Sequence, residues 1–369
     1  MSKRQLTLQP CCHTAKRRRP PPSQLQQLRQ HVYLVVDDWE SGYSVRKIDI
    51  DAMYSDAGAD LDDDDEAEPL PDPPVVRFYG RHCRLSHFGA YGTSILAMPV
   101  HCDATGAFPI FDTKTLGLTL CPHPGGSSLP SKPLFASVAG ELYLTVGSST
   151  IVLDALQPPG NDEDKQWSWI RSPKILVPFN SGDVVSFAVH PNDRLLFVSQ
   201  AARTFCLDTK CSTWMTLGNW VMPFKGQAYF DDELDAWIGL CCHKGGGGYV
   251  CSCDAPPLAD YATMSIMPAW KLGKDQLFNA DDDRHLGATL LYLGGISDYC
   301  LIESRLHKDQ QPFRPPDGPR CCVLRVTKFG LKYDKNGELR TTRQTACSYQ
   351  MTEGHEFNEI CSTPVAFWM

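Results

Sequence analysis

The stretch Phe187-Ala188-Val189-His190-Pro191-Asn192-Asp193-Arg194-Leu195-Leu196-Phe197-Val198 runs on to Phe205-Cys206-Leu207-Asp208 and then to Trp214-Met215-Thr216-Leu217. Short apolar runs rich in β-branched and aromatic residues, separated by Pro, Asn and Asp, read as strands joined by tight turns. His190-Pro191-Asn192-Asp193 is therefore turn chemistry, in which Pro presets φ and Asn or Asp bonds its own backbone. The unit is a strand, a turn, a second strand, a third ending in aspartate, and a fourth that opens on a bulky residue.

The same order recurs along the chain. Phe135 to Leu144 leads through Ile151-Val152-Leu153-Asp154 to Trp167-Ser168-Trp169, Gly89 to Leu96 leads to Pro109-Ile110-Phe111-Asp112, and Ala228 to Trp237 leads to Val250-Cys251-Ser252-Cys253-Asp254. The aspartates Asp112, Asp154, Asp208 and Asp254 are 42, 54 and 46 residues apart, an interval that fits four-stranded, kelch-like propeller blades of roughly 50 residues. Each aspartate is expected to accept backbone N–H bonds and fix the turn into the outer strand. With a first unit around Asp49 and a last around Lys328, the reading is an all-β protein, a single β-propeller of about six blades over residues 31–369. Asn336-Gly337 predicts a hairpin turn, and the apolar end Pro364-Val365-Ala366-Phe367-Trp368-Met369 is expected to pair with the first strands and close the ring.

Composition fits one such domain. The 369 residues are 42% hydrophobic and 21% charged, with 28 glycines and 28 prolines, which excludes disordered, collagenous and coiled-coil classes. No window approaches the roughly 18 to 20 apolar residues of a membrane helix. The sixteen cysteines are spread through apolar runs and read as reduced thiols filling the core rather than as a disulfide framework.

The net charge of -8 hides an asymmetry, because Met1 to Val36 holds seven basic and no acidic residues, leaving -15 on the rest. A body this acidic argues against a nucleic-acid partner. Residues 1–30 read as a disordered basic leader in which Lys16, Arg17, Arg18 and Arg19 resemble a nuclear-import signal; a mitochondrial transit peptide is the alternative, disfavoured by Pro20 to Pro22. Cytoplasm and nucleus are the expected compartments. Residues 56–74 contain seven acids in the nine positions from Asp60 to Glu68, followed by prolines, and read as an exposed loop.

His31 to Trp39, Pro223 to Tyr229, Leu234 to Leu240, Cys251-Ser252-Cys253-Asp254 and Thr327 to Tyr333 resemble the plant (grass) domain-of-unknown-function 1618 family. The resemblance implies a kelch or galactose-oxidase-type propeller from a plant, with no established activity and no catalytic residues to carry over.

Neither a Gly-x-Ser-x-Gly elbow nor a phosphate-binding Gly-Lys-Ser/Thr loop is present, so no catalytic residue and no cofactor is expected. Cys241, His243, Cys251 and Cys253 flank a Gly-rich turn and are the alternative to no metal site, although Cys-x-Cys is not a zinc-knuckle spacing. Trp214, Trp220, Trp237 and Trp270 are expected in the core. The functional expectation is a non-catalytic protein-interaction module that binds through loops at one end, with Phe224, Lys225, Gln227, Asp231, Asp232 and Asp235 as candidate contacts. Two alternatives remain, an enzyme or small-ligand binder at the channel mouth and an adaptor in ubiquitin-dependent turnover.

Overall fold

The computed structural model describes residues 30–39, 42–53, 67–79, 86–99, 106–124, 133–146, 152–157, 167–257, 266–309, 321–352 and 363–369. The chain divides into two units, Met1–Gln30 and His31–Met369. Lys16 to Arg19 and the acidic run from Asp60 to Glu66 lie outside the described residues.

Among the described residues the secondary structure is strand, apart from one short turn of 3-10 helix at Ser181–Asp183. The first blade uses β1 (Val32–Trp39), β2 (Gly42–Ile48) and β4 (Val76–Tyr79), while β3 (Glu68–Pro69) crosses to another blade. The second is β5 (Ser86–Tyr91), β6 (Ser94–Pro99), β7 (Ala107–Asp112) and β8 (Leu118–Pro122), and the third is β9 (Phe135–Val138), β10 (Glu141–Val146), β11 (Val152–Gln157) and β12 (Ser168–Leu176). The fourth is β13 (Val184–Val189), β14 (Leu195–Gln200), β15 (Arg203–Asp208) and β16 (Thr213–Gly218), and the fifth is β17 (Phe224–Asp231), β18 (Ala236–Cys241), β19 (Tyr249–Cys253) and β20 (Trp270–Gln276). The sixth is β21 (His285–Gly294), β22 (Asp298–Leu306), β23 (Cys321–Tyr333) and β24 (Leu339–Thr352), and β25 (Val365–Trp368) returns to pair with β1. The C-terminal strand is thus the innermost strand of the first blade, and the expected closure is observed.

Among the described residues, six clusters of buried side chains hold the ring, one between each pair of neighbouring blades. Period-two alternation assigns them. Leu34 and Val36 face the sixth blade while Tyr33 and Val35 face the second; Leu196 and Val198 face the third while Leu195 and Phe197 face the fifth. A strand buried on both faces needs apolar residues at every position, which is why these second strands read as continuous hydrophobic runs. The cysteines follow the same rule: Cys206, Cys251 and Cys253 fill the fourth-to-fifth interface, and Cys300 and Cys322 the sixth-to-first. The fourth and fifth blades approach so closely that their inner strands hydrogen-bond in parallel, with Ser186 opposite Gly226 and Ala188 opposite Ala228.

The turn aspartates work as expected at two of the four positions. Asp112 Oδ1 accepts the N–H groups of Lys114 and Thr115 at 2.8 and 3.0 Å, and Asp208 Oδ1 accepts Lys210 N–H at 3.0 Å while the carboxylate pairs with the Arg194 guanidinium. Asp254 follows β19 but its side chain is exposed. Asp154 is a misalignment: Leu142 pairs with Leu156, whereas Leu195 pairs with Asp208, so Asp154 falls short of the turn position inside β11. Asp49 and Asp334 supply the missing members, accepting N–H bonds from Asp51 at 3.1 Å and from Asn336 and Glu338 at 2.8 and 3.0 Å.

The stretch 56–74 is not a free loop at its C-terminal end. Glu68 and Pro69 pair in parallel with Tyr349 and Gln350 on the outer edge of the sixth blade, Leu70 packs on the core beneath, and Arg46 Nη1 donates to Pro71 O at 2.8 Å and to Asp72 Oδ1 at 2.9 Å. Extended backbone beside an open sheet edge gains ladder hydrogen bonds whatever its charge.

One glycine is fixed by close approach. Gly248 has φ +84, and a Cβ there would lie 1.8 Å from the Phe278 carbonyl oxygen, while Leu277 N–H donates to Gly248 O at 2.8 Å. Gly248→Ala is expected to lower stability by about 3 kcal/mol, combining left-handed strain with a backbone displacement. A denaturant midpoint unchanged from wild type would refute this.

Candidate functional site

In the second to sixth blades the turns between first and second strands and between third and fourth strands emerge at one end of the ring. At that end the turn of the fifth blade, Asp231 to Asp235, and that of the sixth, Gly294 to Asp298, are bolted together. Asp231 is fully buried. Its Oδ1 accepts the N–H groups of Glu233 and Leu234 at 3.0 and 3.2 Å and the Ser297 hydroxyl at 2.9 Å, and its Oδ2 accepts the Tyr299 hydroxyl at 2.7 Å. A carboxylate can be buried where donors saturate its lone pairs.

The phenols beside it respond to this charge. Burial, reinforced by Asp231, pushes the Tyr299 hydroxyl far above its ordinary value, which keeps it a donor. Tyr292 is pushed up to about 12 by burial and then by the negative field of Asp231, Asp232, Glu233 and Asp298. Tyr229, Tyr292, Tyr299 and Phe329 form a ring-to-ring series with centroid spacings of 6.2, 5.1 and 5.9 Å, joining the inner strands of the two blades to their cores.

What this scaffold presents is Ile296, 72% exposed, between Gly295 at φ +64 and Ser297 at φ +54. Arg343 braces the turn, donating from Nη2 to Asp298 Oδ1 at 2.7 Å and to Ile296 O at 3.4 Å. Asp232, Glu233 and Asp235 are exposed beside it. An isoleucine held out by a fixed turn, beside a second turn that carries three exposed acids, is an apolar anchor with charge at its border.

The six residues expected to make contacts do not form one surface. Lys225, Gln227, Asp232 and Asp235 are exposed, but Phe224 and Asp231 are fully buried and are corrected to structural roles, Phe224 lying against Gly239 of its own blade and within the core cluster shared by the fourth and fifth blades. Lys225 and Asp231 sit at opposite ends of β17, about 20 Å apart at strand rise. Asp231's alternation into the core and Ile296's exposure were missed in the sequence. The signal for the second was present in Gly294-Gly295-Ile296-Ser297, an apolar residue inside a turn.

The other candidate groups are engaged in packing. His190 is buried, with Nδ1 2.9 Å from Asn192 Oδ1 and Nε2 2.8 Å from Pro256 O. Trp237 is buried and donates to Val189 O at 2.8 Å, Trp220 is buried in the same cluster, and Trp214 packs edge-on against Phe179. Cys241, Cys251 and Cys253 share the fourth-to-fifth core cluster, but the four candidates do not meet as a ligand set: the His243 ring stacks on Trp270 at 4.6 Å, and among the described residues no group of three or more His, Cys, Asp or Glu side chains is arranged to hold a metal. A cavity of about 10 Å³, lined by Leu34, Val36, Leu324 and Met351, lies between the first and sixth blades and is no larger than one water. Among the described residues no helix is long and apolar enough to cross a membrane.

Comparison with solved structures gives propellers and propeller-like proteins of low identity. A putative 6-phosphogluconolactonase from Bacteroides uniformis is 11% identical with a TM-score of 0.44, covering 92% of this chain and 99% of that one. The WD40 domain of SCAP from fission yeast is 8% identical with a TM-score of 0.30, covering 78% and 71%. These likenesses carry no argument about activity. No curated protein matches the sequence. The family model that matches is that of a protein of unknown function, DUF1668, over residues 29–349. This overturns the resemblance to family 1618, and the plant source and galactose-oxidase relationship it implied lose their support. The motifs quoted for that resemblance are propeller strand and turn sequences, which do not separate one propeller family from another. A single family model spans the blades from the first strand to the last outer strand, and the chain belongs to the DUF1668 family of proteins of unknown function.

Proposed function

We propose that the protein is a non-catalytic interaction module that holds a protein partner at the end of the propeller where the turns of the fifth and sixth blades meet. The observation that carries this reading is Ile296, exposed on a turn that Ser297 and Arg343 fix in place. Exposed apolar residues on rigid, rimmed turns are the usual anchors of interfaces, because little entropy is lost when they are covered. The acids beside Ile296 favour a partner segment with basic residues around an apolar one. The expected compartments are cytoplasm and nucleus, with Lys16 to Arg19 as the import signal.

The test is affinity capture with the full chain, comparing wild type with Ile296→Asp and with the combined Asp232→Lys, Glu233→Lys, Asp235→Lys variant. Both variants are expected to melt within a few degrees of wild type, since all four side chains are exposed, and to lose at least tenfold of a partner recovered reproducibly with wild type. Retention of the wild-type partner set by both variants would sink the reading.

A further inference from the structure

Strand β8 (Leu118–Pro122) ends the sheet of the second blade, and Leu116, Leu118 and Leu120 are 64%, 57% and 67% exposed. The other outer strands are guarded: β4, β12, β20 and β24 each carry Arg or Lys, and β16 holds its large side chains buried or half-buried. Charge or burial on an edge strand is the ordinary protection against pairing with another chain. β8 has neither, and Thr115 to Pro124 contains no Asp, Glu, Lys or Arg.

The register with β7 decides which backbone groups of β8 face outward. Pro109 has no N–H, so its pair with Leu120 exchanges no hydrogen bonds. Exchanging pairs fall on alternate residues of an antiparallel ladder, here Phe108 with Cys121 and Ile110 with Thr119. Asp112 N–H to Gly117 O and His123 N–H to Gly106 O, both 2.9 Å, keep the same step. Leu118 and Leu120 therefore turn their N–H and C=O groups to the open edge, where no hydrogen bond reaches them among the described residues.

Their side chains share a face with Phe111 and Pro109, which continues outward from the core between the first and second blades. Thr119 and Cys121 face the third blade, where Trp167 Nε1 donates to Thr119 Oγ1 at 3.1 Å. Trp169 Nε1 donates to Pro122 O at 2.8 Å and closes the edge at that end. The turn, in which Gly117 N–H donates to Thr115 Oγ1 at 3.3 Å, closes it at the other.

We propose that β8 is the contact strand of a homodimer, in which two copies pair β8 with β8 antiparallel about a two-fold axis at Thr119. That register sets Leu118 of each copy opposite Leu120 of the other, so both pairs exchange two backbone bonds and the four leucines meet on one face. A two-fold contact must be self-complementary, and Leu-Thr-Leu reads the same in both directions. The open edge is short and bounded at both ends, which matches its own copy and leaves a longer foreign strand no further groups to pair with. Charge selects likewise: each copy carries -8, and two such bodies approach with least repulsion along a strip without charged side chains. Three leucines and a short ladder fall below the roughly 800 Å² per partner of a standard interface, so the dissociation constant is expected to be on the order of 10 to 100 µM.

Sedimentation velocity of the full chain, from tenfold below to tenfold above that range, is expected to show monomer passing to dimer. The combined Leu118→Lys, Leu120→Lys variant is expected to melt within a few degrees of wild type, since both side chains are exposed, and to associate at least tenfold more weakly. Added salt is expected to strengthen the wild-type dimer, because it screens the repulsion of two acidic bodies and takes nothing from an uncharged strip. Thr119→Cys, oxidised where the dimer is populated and digested without reductant, is expected to yield a peptide cross-linked to its own copy through position 119, since facing residues of a non-exchanging pair lie within disulfide reach. A chain that stays monomeric throughout, a dimer that survives in the Leu118→Lys, Leu120→Lys variant, or a dimer without the cross-link at position 119 would each overturn the assignment. Ile296→Asp is expected to leave the dimer intact, so that the two surfaces stand or fall separately, and a dimer lost in that variant would place the contact elsewhere and overturn it as well.

Discussion

Asp231→Ala is expected to destabilise the protein by about 4 kcal/mol, more than any other single side-chain truncation at the ring's acidic end. The residue is fully buried and its four acceptor contacts serve two blades. Alanine removes all four at once and leaves the Tyr299 hydroxyl, the Ser297 hydroxyl and the Leu234 N–H buried without that acceptor, at about 1 to 3 kcal/mol for each donor that finds no substitute. Some relaxation and water entry hold the total below the simple sum. Asp231→Asn retains the shape and one acceptor oxygen, and the Tyr299 hydroxyl can turn to accept from the new amide, so its loss is expected to be about half as large. Tyr299→Phe, which removes one donor and no acceptor, is expected to cost about 1.5 kcal/mol. Urea unfolding of the three variants checks the order. An Asp231→Ala loss under 1 kcal/mol would mean the carboxylate is not the bolt between the blades.

The same residue marks what the sequence conveyed and what it withheld. Strand positions were legible because a strand buried on both faces carries an unbroken apolar run: Leu195-Leu196-Phe197-Val198 and Phe205-Cys206-Leu207, picked out in the sequence, are buried throughout and lie in β14 and β15. The ring closure was legible because Phe367 and Trp368 are too apolar to leave in water. Strand β3 was not, since Glu68 and Pro69 owe their pairing to the open edge of β24, a tertiary neighbour that nothing local encodes. Asp154 was misplaced because a recurring aspartate was matched by interval, while register is set by pairing, which differs by residues between blades. The candidate site was half legible for a related reason. Asp231, Asp232 and Asp235 look alike in sequence, and only the alternation at the end of β17, with Ser297 and Tyr299 arriving from the next blade, separates a buried acceptor from exposed charges.

Removing residues 363–369 is expected to abolish cooperative folding. Strand β25 forms the inner edge of the first blade through four residue pairs, from Val32 with Trp368 to Val35 with Val365, and His31 and Met369 exchange backbone bonds at 2.7 and 3.1 Å. Its two faces seal two interfaces: Ala366 and Trp368 pack on the cluster shared with the sixth blade, and Val365, Phe367 and Met369 on the one shared with the second. It is also tied across the ring, by Thr289 Oγ1 to Pro364 O at 2.6 Å and by Trp368 Nε1 to Leu293 O at 3.1 Å. With about 1 kcal/mol for each of the hydrogen bonds and 1 to 2 for each partly buried apolar side chain, the strand contributes roughly 8 kcal/mol or more. Domains of this kind have only about 5 to 15 kcal/mol in all. The truncated chain should therefore bind a dye for exposed apolar surface and melt without a sharp transition, whereas Phe367→Ala should fold and lose about 2 kcal/mol. A truncated chain melting cooperatively within a few degrees of the full one would show that the six interfaces do not need the ring closed, and that the blades stack as an open arc held pairwise by their cores.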